Sequence, residues 1–374
     1  MSMMRGWAAL VTAGLVWCWG SSAQAADRFS PENIQKLDRI IAEEMKAENL
    51  PSVVVGVWVP GEGRYVTSVG KADLRTGRRR EPTELFRIAS ITKTVIGTAI
   101  LQLVDENKLS KWDKISEWFP DFPHADRIRV DDLLRMRSGL ADSIGQNFIK
   151  EYYDNRLTAL TPADMIERGA KLADEFQPPN EKTVYNNLNY VMLGVILEKV
   201  TGRRIDRLLA DKIFRPLGMK NSSYPQGPYL YGRLHGYSLD PTSHRLIDTT
   251  LLNPAPAGGS GAIVSNLTDL HIWARELCAS RLLKPATQGA RLRTRMLGKK
   301  GAGVARYGEG LIKLGPFCGH NGSIFGFNSE MWYLPALQAV MVINVNRLDE
   351  DDESKSGPLF YKLSKALFPD YVPW

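Results

Sequence analysis

Apolar residues in the first part of the chain follow a helical pattern and then a strand pattern. Ser30-Pro31-Glu32 is typical of a helix start, with a capping serine, a proline and an acid in the first turn. Apolar residues then recur at helical spacing up to Met45, and Asn49 and Pro51 end the pattern. The next stretch, Ser52–Val59, is rich in valine and predicts a strand, with residues 64–69 returning as its hairpin partner.

A second strand region lies near the other end of the chain. Residues 326–334 and 340–345 are apolar, and Pro335-Ala336-Leu337-Gln338 separates them, which predicts another hairpin. Between the two strand regions and after the second one, apolar periodicity predicts helices. The strongest candidates begin at Ser90 or cover residues 130–136, 162–173, 188–200, 205–213, 266–277 and 359–367.

This distribution predicts a mixed α/β fold of the α+β type. Strands from the two chain ends would form one antiparallel sheet flanked by the terminal helices, and a second, mostly helical domain would be inserted between them. We place the sheet domain at residues 26–89 and 260–374 and the helical domain at residues 90–259. A chain of 374 residues is long enough for two such domains.

The first 25 residues have the pattern of a secretory signal peptide. Residues 1–5 carry a positive charge, residues 6–20 are apolar, and Ala23-Gln24-Ala25 offers the small residues that a signal peptidase reads. The apolar run is shorter than the roughly 20 residues that span a bilayer, which argues against an uncleaved anchor. We therefore expect a periplasmic or secreted protein with no stable membrane anchor.

Charge and cysteine content narrow the classes of partner. The net charge of +7 comes from scattered basic residues, and no basic segment alternates with aromatic residues, so that nucleic acid is not expected as a partner. No CxxC pair or histidine cluster predicts a metal site. The mature chain would keep Cys278 and Cys318, which an exported protein can join. Two unpaired buried thiols are the favoured alternative.

Candidate chemistry begins with Ser90 and Lys93 in the segment FRIASITKTV. Residues three apart share a helix face, which would place the amine beside the hydroxyl. A serine hydroxyl becomes a good nucleophile when a neighbour takes its proton, and a lysine does this when burial lowers its pKa. The pair alone is a weak signal, because Ser68 and Lys71 have the same spacing and serine is a common helix cap.

A second pair, Tyr185 and Asn187, would present a phenol and an amide on one side of a loop. A phenol near a lysine cation ionises more easily and can shuttle a proton, while the amide can bind a substrate carbonyl. Tyr153 and Asn155 repeat this spacing. For either pair, a packed loop tyrosine and a turn-forming asparagine are the simpler interpretation.

A third motif is His320-Asn321-Gly322-Ser323, which we predict as a turn before a strand. Its glycine would let a ligand approach the backbone closely. The N–H of Ser323 would then face the same pocket as the N–H of Ser90. Taken alone, the motif is more simply interpreted as a hairpin turn that contains one histidine.

Together and in this order, the three motifs resemble those of the serine β-lactamase and penicillin-binding-protein superfamily. The chain is most similar to the branch that holds class C β-lactamases, D-alanyl-D-alanine carboxypeptidases and related esterases. Five longer blocks carry the resemblance: FRIASITKTVIGTAILQLVDENKLSKWDKISEWFP, RVDDLLRMRSGL, VYNNLNYVMLGVILEKVTG, RPLGMKNSSY and GHNGSIFGFNSEMWYLP. The resemblance extends from about Ile34 to Val345 and favours the Ser90 and Tyr185 motifs over the repeated spacings.

The resemblance implies a β-lactamase/transpeptidase-like fold with the active site between the two domains and no cofactor. Ser90 would be the acylated nucleophile. Lys93 and Tyr185 would share the roles of general base and general acid, in an order that the sequence leaves open.

The resemblance also implies a set of substrate-binding residues. Asn187 would hold the substrate amide and help to fix the lysine, and the N–H groups of Ser90 and Ser323 would form an oxyanion hole. His320, followed by Asn321 and the glycine at 322, would line the substrate side, where the histidine would steady an anionic group or the proton network.

Two positions depart from the family pattern. Asn321 stands where peptidases and β-lactamases commonly have a threonine that helps to hold a substrate carboxylate. His320 stands where lysine is common, which lowers the positive charge at neutral pH. These departures argue against a β-lactamase, weaken a strict carboxypeptidase assignment and favour an esterase or a D-amino-acid amidase.

We therefore expect an exported serine hydrolase that acts through an acyl-enzyme on Ser90. Its substrate would be a small molecule or a peptide, and D-alanyl peptides of the cell wall, such as peptidoglycan stem peptides, are the first class. An esterase, a D-amino-acid amidase or a β-lactamase of the same fold is the alternative, and β-lactams would be candidate acylating ligands. A non-catalytic penicillin-binding or wall-binding protein is a hypothesis of another class, and it predicts no adduct on Ser90.

Overall fold

A computed structural model describes residues 28–230, 232–240, 243–279, 281–297, 305–349 and 354–372, except the side chains of residues 146, 147 and 154. The predicted signal peptide, residues 1–25, lies outside the described residues. The helices are α1 (Pro31–Ala47), α2 (Thr92–Asp105), α3 (Val130–Leu134), α4 (Gln146–Asp154), α5 (Pro162–Ala170), α6 (Asn187–Thr201), α7 (Ile205–Leu209), α8 (Arg215–Leu217), α9 (Leu267–Ala279), α10 (Pro285–Arg291) and α11 (Gly357–Leu367).

The strands are β1 (Ser52–Val59), β2 (Gly63–Gly70), β3 (Phe86–Arg87), β4 (Tyr237–Leu239), β5 (Leu246–Asp248), β6 (Val264–Ser265), β7 (Arg295–Met296), β8 (Ala305–Tyr307), β9 (Ile312–Leu314), β10 (Phe317–Ile324), β11 (Phe327–Leu334) and β12 (Ala339–Val345). None of the helices in the described ranges is long and apolar enough to cross a membrane.

One large sheet is built from the two ends of the chain, as predicted. Its strand order in the described residues is β2-β1-β12-β11-β10-β9-β8-β7. All its neighbouring strands are antiparallel, and β1 lies between β2 and β12 with Val53 opposite Val345. The predicted fold class, a mixed α/β fold with an antiparallel sheet, is therefore confirmed. β1 is buried along nearly its whole length, because both faces of the sheet are covered.

Consecutive residues of β10 show which helix covers each face of the sheet. The Phe317 ring packs on Phe360 of α11, with ring centroids 5.3 Å apart, whereas Cys318 is joined to Cys278 of α9 by a disulfide. Successive side chains of a strand point to opposite faces, so α11 and α9 lie on opposite sides of the sheet. The expectation of two unpaired thiols is wrong, since the fold brings the two Cα atoms to 6.2 Å, within the range that a disulfide spans.

Most long elements begin and end close to where the apolar pattern places them. The Ser30 hydroxyl accepts a hydrogen bond from the N–H of Asn33 at the start of α1, and β1 covers the predicted residues. The short strands β7, β8 and β9 and the helices α4 and α10 were not predicted. Strands of two or three residues are too short for an alternating pattern to stand out.

The third motif is not the turn that we predicted but part of the strand β10. His320 pairs with Met331, and Gly322 pairs with Ser329, in the antiparallel ladder with β11. Asparagine and glycine together are a common turn signal, and here the regular ladder overrides it. The motif therefore presents backbone from the side of a strand rather than from the tip of a hairpin.

Candidate active site

The Ser90 side chain is presented by a short turn at the start of a buried helix. Residues Ala89–Ile91 form a 3₁₀ turn, and α2 begins at Thr92. Ala89 has a φ of +48°, a left-handed conformation that costs a non-glycine residue roughly 1–3 kcal/mol. α2 is buried on nearly all sides, and Trp273 of α9 donates a hydrogen bond to the Thr94 hydroxyl over 2.6 Å. The fold therefore holds the turn against a rigid support.

Lys93 lies fully buried at the centre of the site. Its Nζ lies 2.9 Å from the Ser90 hydroxyl, 2.8 Å from Oδ1 of Asn187 and 2.9 Å from the carbonyl oxygen of Ser260. An ammonium group would have an acceptor for each of its three N–H bonds there. A neutral amine would instead accept a hydrogen bond from the Ser90 O–H. The contact between Lys93 Nζ and the Ser90 oxygen therefore suits both protonation states of the lysine.

Tyr185 and Asn187 reach the lysine from the start of α6. The Lys93 Nζ lies 4.8 Å from the centre of the Tyr185 ring, so a positive charge would face the aromatic ring. Asn186 caps α6, and its side-chain oxygen accepts from the N–H of Asn189. The structure thus brings together Ser90, Lys93, Tyr185 and Asn187, which the sequence separates by up to 97 positions (187 − 90).

The His320 side chain is fully buried. We expected it to lie on the substrate side of the site instead. Its ring packs on Tyr185 and Tyr307, with centroids 6.0 and 5.9 Å away. Burial and the nearby charge of Lys93 lower the pKa of His320 to about 3, so the imidazole is neutral. Nδ1 donates to the carbonyl oxygen of Asn321 over 2.5 Å, and Nε2 has no hydrogen-bond partner within the described ranges. A neutral ring of this kind does not attract an anion.

β10 passes directly beside the Ser90 turn. A Cβ atom on Gly322 would lie 2.3 Å from the carbonyl oxygen of Ile88, a distance that real Cβ atoms do not show. We expected this glycine to let a ligand approach the backbone; it lines the cleft, and it also lets the protein's own backbone pass close by. Asn321 and Ser323, on either side of it, line the same cleft as Ser90.

The cleft above Ser90 has a volume of about 440 Å³. Its polar floor includes Ser90, Tyr185, Asn187, Asn321 and Ser323. The remaining wall is mainly apolar: Ile144, Phe148, Ile149, Tyr152, Leu252, Pro256, Leu297, Ile312, Ile324 and Phe325.

Charged groups are scarce around this cleft. No lysine or arginine lines it in the described part of the chain, and the carboxylate that does, Asp349, pairs with Arg347 over 2.6 Å. The arrangement places a serine hydroxyl, a buried amine and a phenol together beside a largely apolar cleft.

The residues that repeat the spacings of the Ser90 and Tyr185 motifs make different contacts. The Ser68 hydroxyl, on β2, donates to the carbonyl oxygen of Arg80 over 3.0 Å. The Tyr153 hydroxyl donates to the carbonyl oxygen of Leu239 over 3.3 Å.

Sequence reasoning missed Asp142, Ser260 and Tyr307, which touch the site residues. Asp142 bonds to Asn187, and Tyr307 packs edge-on against Tyr185. Ser260 contributes a backbone oxygen, for which a side-chain pattern gives no signal. The glycines beside Ser260 do point to close packing, since a Cβ on Gly259 would lie 2.3 Å from the carbonyl oxygen of Tyr190.

Comparisons with known proteins show the family and the fold of the chain. A family model described as Beta-lactamase matches residues 37–363. Protein flp of Staphylococcus aureus strain MW2 is 28% identical over 208 residues, which are 54% of this chain and 40% of that protein. Penicillin-binding protein 4* of Bacillus subtilis strain 168 is 32% identical over 164 residues, 43% of this chain and 35% of that protein. The chain thus matches less than half the length of these curated relatives.

Among solved structures, D-amino acid amidase from Ochrobactrum anthropi SV3, complexed with L-phenylalanine amide, superimposes with a TM-score of 0.79 at 23% identity. The match covers 91% of this chain and 100% of the amidase. At this identity the likeness establishes a shared fold.

The close approach at Gly322 leads to a first prediction. In Gly322→Ala the added methyl group meets the Ile88 carbonyl, so β10 and the Ser90 turn must separate. A displacement near 1 Å at a reacting centre costs about 10²-fold in rate. We therefore expect Ser90 to react about 10²-fold more slowly with a fluorophosphonate probe, measured by intact mass against time. Gly289→Ala is the control, because no atom lies within 4 Å of its added Cβ. Equal labelling rates for Gly322→Ala and the wild type would contradict the prediction.

Proposed function

This chain belongs to the beta-lactamase family, and from that premise we propose that it is an amidase or esterase that cleaves neutral, apolar acyl derivatives through an acyl-enzyme on Ser90. In coarser terms, the chain is a serine hydrolase of the β-lactamase and penicillin-binding-protein fold. D-Amino acid amides and short esters are the proposed substrate classes. The choice of substrate class rests on the residues that line the cleft rather than on membership of the family.

The contacts of Lys93 support a sequence of proton transfers. The Ser90 oxygen attacks the substrate carbonyl while its proton passes to the lysine amine 2.9 Å away. The backbone N–H groups of Ser90 and Ser323 would stabilise the oxyanion. The leaving amine or alcohol receives a proton through the Tyr185 phenol, and water then releases the acid from Ser90.

The apolar wall of the cleft is the observation that carries the choice of substrate. Phe148 and Tyr152 stack with ring centroids 5.3 Å apart, and both line the cleft with Leu252 and Phe325. A free carboxylate on the substrate would find no cationic side chain in the described lining, and His320 is neutral. An amide or ester with an apolar side chain avoids the cost of burying an unpaired charge there.

D-Alanyl peptides of the cell wall are the second candidate substrate. The likeness to Penicillin-binding protein 4*, 32% over the aligned part, favours it. Such a peptide ends in a carboxylate, so Asn321 and backbone N–H groups would have to bind it without a cation from the described lining. The two candidates therefore differ in whether a terminal carboxylate helps or hinders turnover.

A substrate panel separates these candidates. We expect turnover of D-phenylalanine amide and p-nitrophenyl butyrate, and at least about tenfold lower kcat/KM for a D-Ala-D-Ala peptide and for nitrocefin, a difference of roughly 1.4 kcal/mol. Product release is followed by chromatography or absorbance, and L-phenylalanine amide tests the stereochemical preference. Ser90→Ala is the control for contaminating hydrolases and should lose all activity with the fold unchanged. Turnover confined to the peptide would reject the amidase and esterase proposal in favour of the carboxypeptidase.

Export is the second part of the proposal. The Cys278–Cys318 disulfide supports it, because disulfides persist in oxidising compartments and are rare in reducing cytosol. We expect expression of the full chain in a bacterial host to give a periplasmic or secreted product whose first residue is Ala26. N-terminal sequencing and the intact mass of each cell fraction measure this. A cytosolic product that keeps residues 1–25 would contradict export.

A further inference from the structure

We propose that Asp142 is a positioning residue that orients the Asn187 amide toward Lys93. Asp142 lies in the segment between α3 and α4 and was not among the residues predicted from the sequence. The inference rests on the proposed chemistry of Ser90 and Lys93 and assigns a role to a carboxylate that does not itself touch the nucleophile.

The carboxylate of Asp142 holds the start of α6. Its Oδ2 accepts from the backbone N–H of Asn187 over 3.0 Å and from the Asn187 side-chain Nδ2 over 2.9 Å. Its Oδ1 accepts from the N–H of Leu188 over 3.3 Å and from the N–H of Ile144 over 3.1 Å. The Asp142 carboxylate thus links the cleft wall at Ile144, the backbone at the start of α6 and the Asn187 side chain.

The chemistry of the two groups fixes which way the amide points. A carboxylate only accepts hydrogen bonds, so the NH₂ end of Asn187 must face Asp142. The oxygen end then faces Lys93, whose Nζ lies 2.8 Å away. In the flipped orientation the amide would direct N–H bonds at the Lys93 ammonium, and the lysine would lose one of its acceptors. The orientation of Asn187 therefore depends on an acceptor at position 142.

Charge strengthens the same arrangement. Asp142 places a negative charge at the N-terminus of α6, where the helix dipole favours it, and on the far side of the amide from Lys93. Arg168, Lys171 and Glu175 line the cavity next to Asp142. Tyr185, two residues before α6, and His320 of β10 are titratable groups close to Lys93.

The test is Asp142→Asn in the full-length mature protein. Asparagine has the same shape, but it also donates and carries no charge, so it no longer dictates the Asn187 orientation. We expect the maximal rate of Ser90 acylation by a fluorophosphonate to fall by roughly 10²-fold, as for a misplaced catalytic group. We also expect the acidic limb of the rate–pH profile to move to lower pH, since loss of the negative charge disfavours the ammonium form of Lys93. Asp142→Ala, which removes both the acceptor and the charge, should show the same two changes.

Asp164→Asn is the matched control. Asp164 accepts from the N–H of Thr161, the residue before α5, over 2.7 Å, as Asp142 accepts from N–H groups at the start of α6, and it does not line the cleft. This variant should keep the wild-type rate and pH limb even where its melting temperature falls. A lower melting temperature for the Asp142 variants with an unchanged pH limb and rate would overturn the inference. If the wild type itself forms no adduct, the proposed function fails first, and the positioning role falls with it.

Discussion

The burial of one lysine amine determines how this site is built. An ammonium removed from water is costly unless each N–H finds an acceptor, and Lys93 finds them on three separate parts of the chain. The turn at Ser90, the first residue of α6 and the carbonyl of Ser260 must therefore converge on one point. Segments far apart in sequence therefore meet at the three hydrogen bonds of the Lys93 amine.

The sheet and its helices provide the rigidity that such convergence requires. β10 runs so close to the Ser90 turn that residue 322 has to be glycine, and Ala89 in that turn has a left-handed backbone conformation. Two residues before His320, a disulfide ties β10 to α9 on the face of the sheet opposite α11. Packing and a covalent link thus anchor the backbone around Ser90, beside a cleft whose wall is mainly apolar.

Much of the fold and the centre of the site were predictable, for identifiable reasons. The long elements carry enough periods of apolar residues to be recognised, as in α1 and β1. Ser90, Lys93, Tyr185 and Asn187 bear reactive groups in motifs that resemble a known superfamily. The environment of each group was harder to predict, because burial depends on tertiary packing. His320 was expected on the substrate side and instead lies buried and neutral, and Asp142 gave no local signal for its contact with Asn187.

The central claim is that the buried amine of Lys93 activates Ser90. Its most direct test is the acylation rate of the wild type and of Lys93→Ala with a fluorophosphonate, with the adduct mapped by peptide mass spectrometry. The account predicts an adduct on the Ser90 peptide and a rate at least ~10²-fold lower in the variant, the loss expected for a missing proton acceptor. An adduct on another serine, or a Lys93→Ala variant that reacts at the wild-type rate, would contradict it.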